Sequence, residues 1–124
     1  MRIAVLTFDG FNELDSFVAS ALFNRLRDRG WQAQITCPDE QVVSMNGVQV
    51  QAQQSLEFAR EADVVLFGSG IRTRQVAEDT RTLERLQLDP RRQLIGAQCS
   101  GALLMARLGL LQGMPACTDL ARVC

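Results

Sequence analysis

The sequence predicts an α/β domain built on a mostly parallel β-sheet that is covered by helices on both faces. Short apolar runs typical of buried strands alternate along the chain with segments of helical periodicity, which is the pattern of successive β-α-β units. The chain has 124 residues, of which 47% are hydrophobic and 22% charged, so we expect residues 1–124 to form a single globular domain. In such sheets, ligands bind at the carboxyl ends of the strands.

The first part of the chain predicts a strand, a helix and a second strand. Residues 2–8 and 31–37 are runs typical of buried strands. Between them Asn12 can cap a helix, with Asp15 three residues later in the arrangement of a capping box, and Gly30 ends that helix. The helix carries an apolar stripe at helical spacing, which we expect to face the core: Leu14, Phe17, Val18, Ala21, Leu22 and Leu26.

The rest of the chain continues the alternation. The Asn46-Gly47 pair within residues 41–51 predicts a hairpin, and residues 62–67 predict an interior strand. After a glycine-rich turn, residues 73–86 predict a helix that Asp89-Pro90 stops. A last strand and helix are expected at residues 93–98 and 100–108, the helix being buried because it is apolar nearly all round; Ala116 onward begins a further strand.

Charge and composition exclude several classes of partner. The formal net charge is −1 and the chain has no basic block, so neither nucleic acid nor an anionic membrane is expected as a partner. No apolar run approaches the ~20 residues that a membrane span requires, and the N-terminus is not a secretory signal. The four widely spaced cysteines predict reduced thiols in the cytoplasm. Because the chain has no histidine and no C-x-x-C pair, we predict neither a metal site nor a cofactor.

Cys99 is the candidate reactive residue. It stands where an apolar strand-like run ends and an apolar helix begins, flanked by small residues, as in a nucleophile elbow. Small neighbours leave room for a strained backbone, and a helix N-terminus favours the thiolate. The alternative is a buried cysteine that packs like a small hydrophobic residue. Without histidine, the chain cannot build a Cys-His dyad or a Ser-His-Asp triad.

Three loops are expected at the same edge of the sheet as Cys99, namely residues 9–15, 68–73 and 99–100. The sequences of residues 8–15, 63–70 and 96–106 resemble, in the right order, the ThiJ/PfpI branch of the class I glutamine amidotransferase-like superfamily. Within that branch, the likeness is to isonitrile hydratases and to the amidotransferase-like domains of AraC-type regulators. The resemblance implies a flavodoxin-like three-layer sandwich with Cys99 on the elbow.

The resemblance also implies roles for the loop residues. Asp15 corresponds to the acid that approaches the cysteine. Backbone N–H groups near Gly70 and at Ser100 form an oxyanion-type pocket, in which Ser69 is a further substrate-binding residue. Each residue also has a structural interpretation: Asp15 and Ser100 as helix caps, Gly70 as a turn glycine. Ser100 replaces the histidine of the peptidase-like members, so proteolysis is not expected, and Gly68-Ser69-Gly70 stands where the family has Pro-Gly-Gly.

Two classes of function remain open from the sequence. One is a cysteine-dependent hydratase or hydrolase that acts on a small electrophilic substrate, as an isonitrile hydratase does. The other is a domain that senses a small molecule without turnover, or a thiol-based stress-response protein. The resemblance implies a homodimer or higher homo-oligomer. The family's relatives continue for several tens of residues past the position of Cys124, so we expect an incomplete C-terminal layer.

Overall fold

The structure, a computed structural model, describes residues 1–117. Five strands form one sheet in which every pairing is parallel: β1 (Arg2–Leu6), β2 (Gln32–Cys37), β5 (Gln54–Ser55), β6 (Val64–Phe67) and β7 (Leu94–Ala97). Their order across the sheet is β5-β2-β1-β6-β7, so β1 lies at the centre. This arrangement confirms the predicted α/β class and the flavodoxin-like fold.

The helices and one small hairpin cover the two faces of the sheet. The helices are α1 (Glu13–Asn24), α2 (Thr73–Glu78), α3 (Thr80–Glu84) and α4 (Gly101–Arg107), with 3-10 turns at Arg27–Arg29 and Leu56–Arg60. Strands β3 (Gln41–Val43) and β4 (Gln49–Gln51) pair antiparallel, as the Asn46-Gly47 signal predicts. The described residues therefore form three layers around a parallel sheet.

Two apolar clusters make the core, one on each face of the sheet. Ala4 and Leu6 of β1 pack on the side that holds α2, α3 and α4, together with the buried Leu104. Ile3 and Val5 point to the opposite side, where Ala19 of α1 and Val42 of the hairpin join them, along with other residues. Because neighbouring side chains of a strand alternate between faces, one central strand supplies both clusters.

The apolar stripe of α1 faces outward, so the prediction that it faces the core is wrong. The side that packs on the sheet carries the small residues Ser16 and Ala19. The hydroxyls of Thr7 and Ser16 are 3.3 Å apart, which shows how closely helix and sheet approach. Larger side chains do not fit at that distance and turn away from it; those exposed are Leu14, Phe17, Val18, Ala21 and Leu22.

Two predicted helix boundaries and the predicted burial of α4 also differ. The helix predicted over residues 73–86 is two helices, because Asp79 leaves the helical conformation and caps α3 through a hydrogen bond from the Thr82 amide. Gly30, with a φ of 82°, ends a 3-10 turn and not α1, which stops at Asn24. α4 is exposed at Ala106 and Arg107 and so is not buried all round.

Two further differences lie in parts of the chain that sequence patterns describe poorly. The short strand β5 was not predicted, since its two residues are polar and carry no alternation. The further strand expected from Ala116 onward has no regular structure at Ala116 and Cys117, and its remainder lies outside the described residues.

Candidate functional site at the carboxyl edge of the sheet

Cys99 occupies a sharp turn between strand β7 and helix α4. Its φ is +46°, and among the non-glycine residues of 1–117 only Gln87 also has a positive φ. The Cys99 residue is exposed at this turn. A left-handed backbone is strained for a residue with a side chain and is common where a protein presents a functional group. The backbone at Cys99 thus has the conformation that a nucleophile elbow requires.

Gly101 explains why small residues follow the cysteine. A Cβ at this position would lie 2.4 Å from the Phe67 carbonyl oxygen and 2.8 Å from that of Gly68. Both oxygens belong to the backbone at the end of β6, so they cannot move aside without disturbing the sheet. Glycine therefore lets the first turn of α4 rest directly on the end of β6, which fixes the position of the elbow.

The predicted convergence of three loops is present in the structure. The Asn12 amide donates to the Ser69 carbonyl at 2.9 Å, and the Ile71 amide donates to the Gly10 carbonyl at 3.0 Å. A Cβ at Gly70 would lie 2.7 Å from the Gly10 carbonyl oxygen. The absence of a side chain at Gly70 is therefore required by the contact between two loops, whatever else this residue does.

Asp15 is held by residues that follow the neighbouring strands β6 and β7, and it does not complete a capping box. Its Oδ2 accepts a hydrogen bond of 2.5 Å from the Ser69 hydroxyl, and its backbone carbonyl accepts one of 2.9 Å from Nε2 of Gln98. Asn12 caps α1 as predicted, accepting from the Leu14 amide at 3.0 Å. Since the Asn12 amide donates to the Ser69 carbonyl, it does not donate to the Asp15 carboxylate, which is the reciprocal hydrogen bond that a capping box needs.

Ser100 is buried, and its hydroxyl joins the elbow to the loop after β6. The Gly70 amide donates to Ser100 Oγ at 3.1 Å, and the hydroxyls of Ser100 and Thr73 are 3.0 Å apart. The Ser100 side chain makes no capping hydrogen bond to α4. An oxyanion role for the Gly70 amide thus requires that it exchange Ser100 for a ligand oxygen.

Glu13 lies in the same first turn of α1 as Asp15, but its side chain turns toward the hairpin. Its carboxylate accepts hydrogen bonds from the Ser44 hydroxyl and from Asn46 Nδ2, the latter at 2.6 Å. The hydrogen bond from Ser44 is the main reason that the pKa of Glu13 is below its usual value. Glu13 therefore binds the hairpin to α1, which leaves Asp15 as the acid nearer the end of β6.

Two residues of this edge were not singled out by the sequence analysis. Gln98 and Thr73 both make side-chain hydrogen bonds to predicted site residues, to Asp15 and Ser100 respectively. The signal that could have revealed Gln98 is a long amide side chain that ends an apolar strand directly before the cysteine. Thr73 had no such signal, because threonine is common at the start of a helix.

Residues 1–117 contain no group of three or more acidic, cysteine or histidine side chains arranged to hold a metal ion. None of the helices in that part of the chain has the length and apolar character to cross a bilayer.

Comparisons with known proteins agree with this fold. The sequence model of the DJ-1/PfpI family matches residues 1–120. No curated protein sequence matches the chain closely enough to count as a relative. Among solved structures, a DJ-1 superfamily protein of Salmonella typhimurium is 22% identical with a TM-score of 0.72, covering 90% of this chain and 63% of that one.

Two further solved structures are similar over nearly the whole chain. The oxidized DJ-1 of Toxoplasma gondii is 19% identical with a TM-score of 0.76, covering 97% of this chain and 67% of that one. A ThiJ/PfpI domain protein of Brachyspira murdochii is also 19% identical, with a TM-score of 0.77 and coverages of 97% and 70%. The chain thus spans about two thirds of the length of these proteins, and the likeness shows a shared fold.

Proposed function

The chain belongs to the DJ-1/PfpI family, and from this membership and the geometry of its elbow we propose that it is a cysteine-dependent hydratase acting on a small electrophilic substrate such as an isonitrile. The observation that carries the proposal is the exposed Cys99 at a φ of +46°, on the edge where the loop of Asp15 also ends. An exposed thiol on a strained turn is accessible to a substrate and has its direction fixed before the substrate arrives.

The reaction can be written with the residues of this edge. The Cys99 thiolate attacks the terminal carbon of the isonitrile and forms a C–S bond, while Asp15 delivers a proton to that carbon, giving a thioimidate. Water then adds to the C=N bond of the thioimidate: its hydroxyl goes to the carbon and its second proton to the nitrogen. The C–S bond breaks, the hydroxyl proton returns through Asp15, and an N-substituted formamide leaves with Cys99 restored. The net change is the addition of one water.

Backbone amides would stabilise the charge that develops during these steps. The candidates are the N–H groups of Gly70 and Ser100, which border the elbow. The Gly70 amide now donates to the Ser100 hydroxyl, so a substrate that uses it must first replace that contact. Because the Ser100 hydroxyl also lies 3.0 Å from the Thr73 hydroxyl, Ser100 keeps a hydrogen-bond partner when Gly70 turns to the substrate.

The experiment that tests the proposal is turnover of an alkyl isonitrile, followed by the appearance of the formamide. We expect activity in the parent, none in Cys99→Ser, and a large loss in Asp15→Asn, which keeps the shape of the side chain but cannot carry a proton. Cys117→Ser is the matched control, since Cys117 is also exposed but lies outside the elbow. Turnover that survives Cys99→Ser would remove the proposed nucleophile.

The exposure of Cys99 also favours a second candidate function, a thiol sensor in a reducing compartment such as the cytoplasm. An exposed thiolate reacts with hydrogen peroxide to give a sulfenic acid and hydroxide. The two candidates separate by experiment: a sensor gains 16 Da at Cys99 under dilute peroxide and turns over no isonitrile. An enzyme turns over isonitrile and loses that activity once Cys99 is oxidised.

The outward stripe of α1 favours a homodimer. Leu14 is 69% exposed, and Phe17, Val18 and Leu22 extend the apolar surface along the same helix. A helix stripe can pack on its own copy across a two-fold axis, which is the commonest symmetry of homo-oligomers. The proposed dimer would bury this stripe on the same helix whose first turn carries Asp15.

Sedimentation of two matched variants tests the dimer. Leu14→Glu should yield a monomer, whereas Leu94→Glu should leave the dimer intact, because Leu94 is equally exposed at 71% but lies on the edge strand β7. Dissociation by Leu94→Glu alone would instead assign the contact to the sheet edge.

A further inference from the structure

We infer that Ser69 and Gln98 are positioning residues that clamp Asp15 beside the elbow, one through its carboxylate and the other through its backbone. The inference rests on the proposed function, since it concerns how Asp15 is held for proton transfer to and from the substrate on Cys99. It differs from the expectation that Ser69 contacts the substrate, and it assigns a role to Gln98, which the sequence did not single out.

Ser69 makes two hydrogen bonds to the start of α1. Its hydroxyl donates to Oδ2 of Asp15 at 2.5 Å, and its backbone carbonyl accepts from the Asn12 amide at 2.9 Å. Ser69 is buried, and the glycines on both sides of it are tightly packed: a Cβ at either would lie 2.7 Å from a backbone oxygen. The Ser69 hydroxyl therefore has a fixed position from which it orients the carboxylate.

Gln98 holds the backbone of the same residue from the adjacent strand end. Its backbone amide donates to the Phe67 carbonyl at 2.9 Å, which continues the β6–β7 pairing by one residue. Its side-chain Nε2 donates to the Asp15 carbonyl, also at 2.9 Å. The hydrogen bond to Asp15 fixes the orientation of the Gln98 side-chain amide, because the flipped amide would place Oε1 against the Asp15 carbonyl oxygen.

The oxygen of the Gln98 side-chain amide has no hydrogen-bond partner among the described residues, although this atom, Oε1, is buried. An unsatisfied buried acceptor is destabilising, and an apolar side chain of similar length would avoid it. Gln98 thus keeps one acceptor that no described residue satisfies, while its Nε2 ties the start of α1 to the end of β7 directly before Cys99, which is the pattern expected of a positioning residue.

The clamp leaves one carboxylate oxygen for chemistry. Ser69 binds Oδ2, so Oδ1 is the oxygen that exchanges a proton with the substrate. Ser69 follows β6 and Gln98 follows the neighbouring strand β7, directly before Cys99. Their hydrogen bonds therefore fix the position of Asp15 relative to both the sheet and the elbow. A carboxylate free to rotate would spend less time in the reactive geometry, and such misplacement lowers rates strongly.

The test measures Cys99 alkylation by iodoacetamide between pH 5 and 10, and isonitrile turnover, in a Cys117→Ser/Cys124→Ser background. We expect Asp15→Asn to change the pH profile of alkylation, because it removes a carboxylate from the edge that carries Cys99. Ser69→Ala should lower turnover about tenfold and reproduce most of that change in the profile, with no further change in the Asp15→Asn/Ser69→Ala double variant. Ser69→Thr, which keeps the hydroxyl, should restore the parent profile. Gln98→Met should lower turnover while its unfolding midpoint stays equal to, or rises above, that of the parent.

The outcomes separate the clamp from the proposed function. If Asp15→Asn impairs turnover but Ser69→Ala and Gln98→Met behave as the parent, the clamp is overturned and the hydratase stands. If Gln98→Met lowers stability and leaves turnover unchanged, Gln98 is a structural residue and its part of the clamp fails. If the parent turns over no isonitrile and Asp15→Asn leaves the alkylation profile unchanged, both proposals fall.

Discussion

The Gly70 amide donates a hydrogen bond of 3.1 Å to the Ser100 hydroxyl, which ties the residue after the cysteine to the loop after β6. Thr73, the first residue of α2, supports the same hydroxyl from the other side at 3.0 Å. The elbow is therefore fixed by contacts across the sheet edge and not by a cap within its own helix. This linkage makes the turn at Cys99 sensitive to changes in the loop after β6.

Cys99→Gly should stabilise the fold relative to Cys99→Ala. A residue with a Cβ at a φ of +46° is strained by about 1 kcal/mol, and glycine adopts this backbone without that strain. Comparing the two variants removes the contribution of the thiol itself. Urea unfolding should show Cys99→Gly more stable by about 1 kcal/mol. Equal midpoints would mean that the backbone at this position is relaxed.

Gly101→Ala should destabilise the protein by about 2 kcal/mol, because the added methyl group meets two backbone oxygens that cannot move away. Gly96→Ala is the matched control: its Cβ would make an ordinary contact of 3.6 Å with Leu66 and should change stability by less than about 0.5 kcal/mol. Thermal unfolding of both variants checks the pair. A Gly101→Ala protein as stable as Gly96→Ala would contradict the close approach of α4 to β6.

Alkylation should distinguish Cys37, the last residue of β2, from Cys99 at the elbow. Cys37 is fully buried, and burial, with smaller contributions from Asp9 and Asp39, raises its pKa to about 12. At pH 8 its thiol stays protonated and shielded, whereas Cys99 is exposed. Peptide mass spectrometry after brief iodoacetamide treatment should find Cys99 modified and Cys37 intact, and denaturant should make both react. Labelling of Cys37 in the folded protein would contradict its burial.

Glu57→Gln should destabilise the protein at neutral pH but not in acid. Two hydrogen bonds from Arg85, of 2.8 and 2.9 Å, lower the pKa of Glu57 from 4.5 to about 2. A lowered pKa adds stability above pH 4.5, and that stability is lost as the pH falls toward 2. Because the two side chains are 33% and 44% exposed, solvent screens the pair and we expect about 1 kcal/mol at pH 7.

Glu61→Gln is the control for this pair. Its ion pair with Arg2 is longer, at 3.5 Å, and both side chains are more than half exposed. Its effect on the free energy of unfolding should be close to zero at every pH. The prediction for Glu57 fails if the difference between Glu57→Gln and the parent persists at pH 2.

Sequence reasoning succeeded where the local pattern and the fold impose the same answer. The central strand β1 and its neighbour β6 are short apolar runs that a parallel sheet covers on both faces, so composition alone identifies them. It failed at α1, where periodicity reveals an apolar stripe but not the direction in which it points. Ser16 and Ala19 face the sheet because helix and strand approach closely there, and no single-sequence pattern contains that distance.

The sequence by itself determined the parallel α/β framework and the location of Cys99, because strand and helix periodicity and a run of small residues are local properties. Only the tertiary structure decided what Asp15 and Gly70 contact. Asp15 accepts from Ser69, 54 residues away, and Gly70 donates to Ser100, 30 residues away. Such partners are set by the order of the strands in the sheet, which brings distant loops to one edge and leaves no trace in the spacing of residues along the chain.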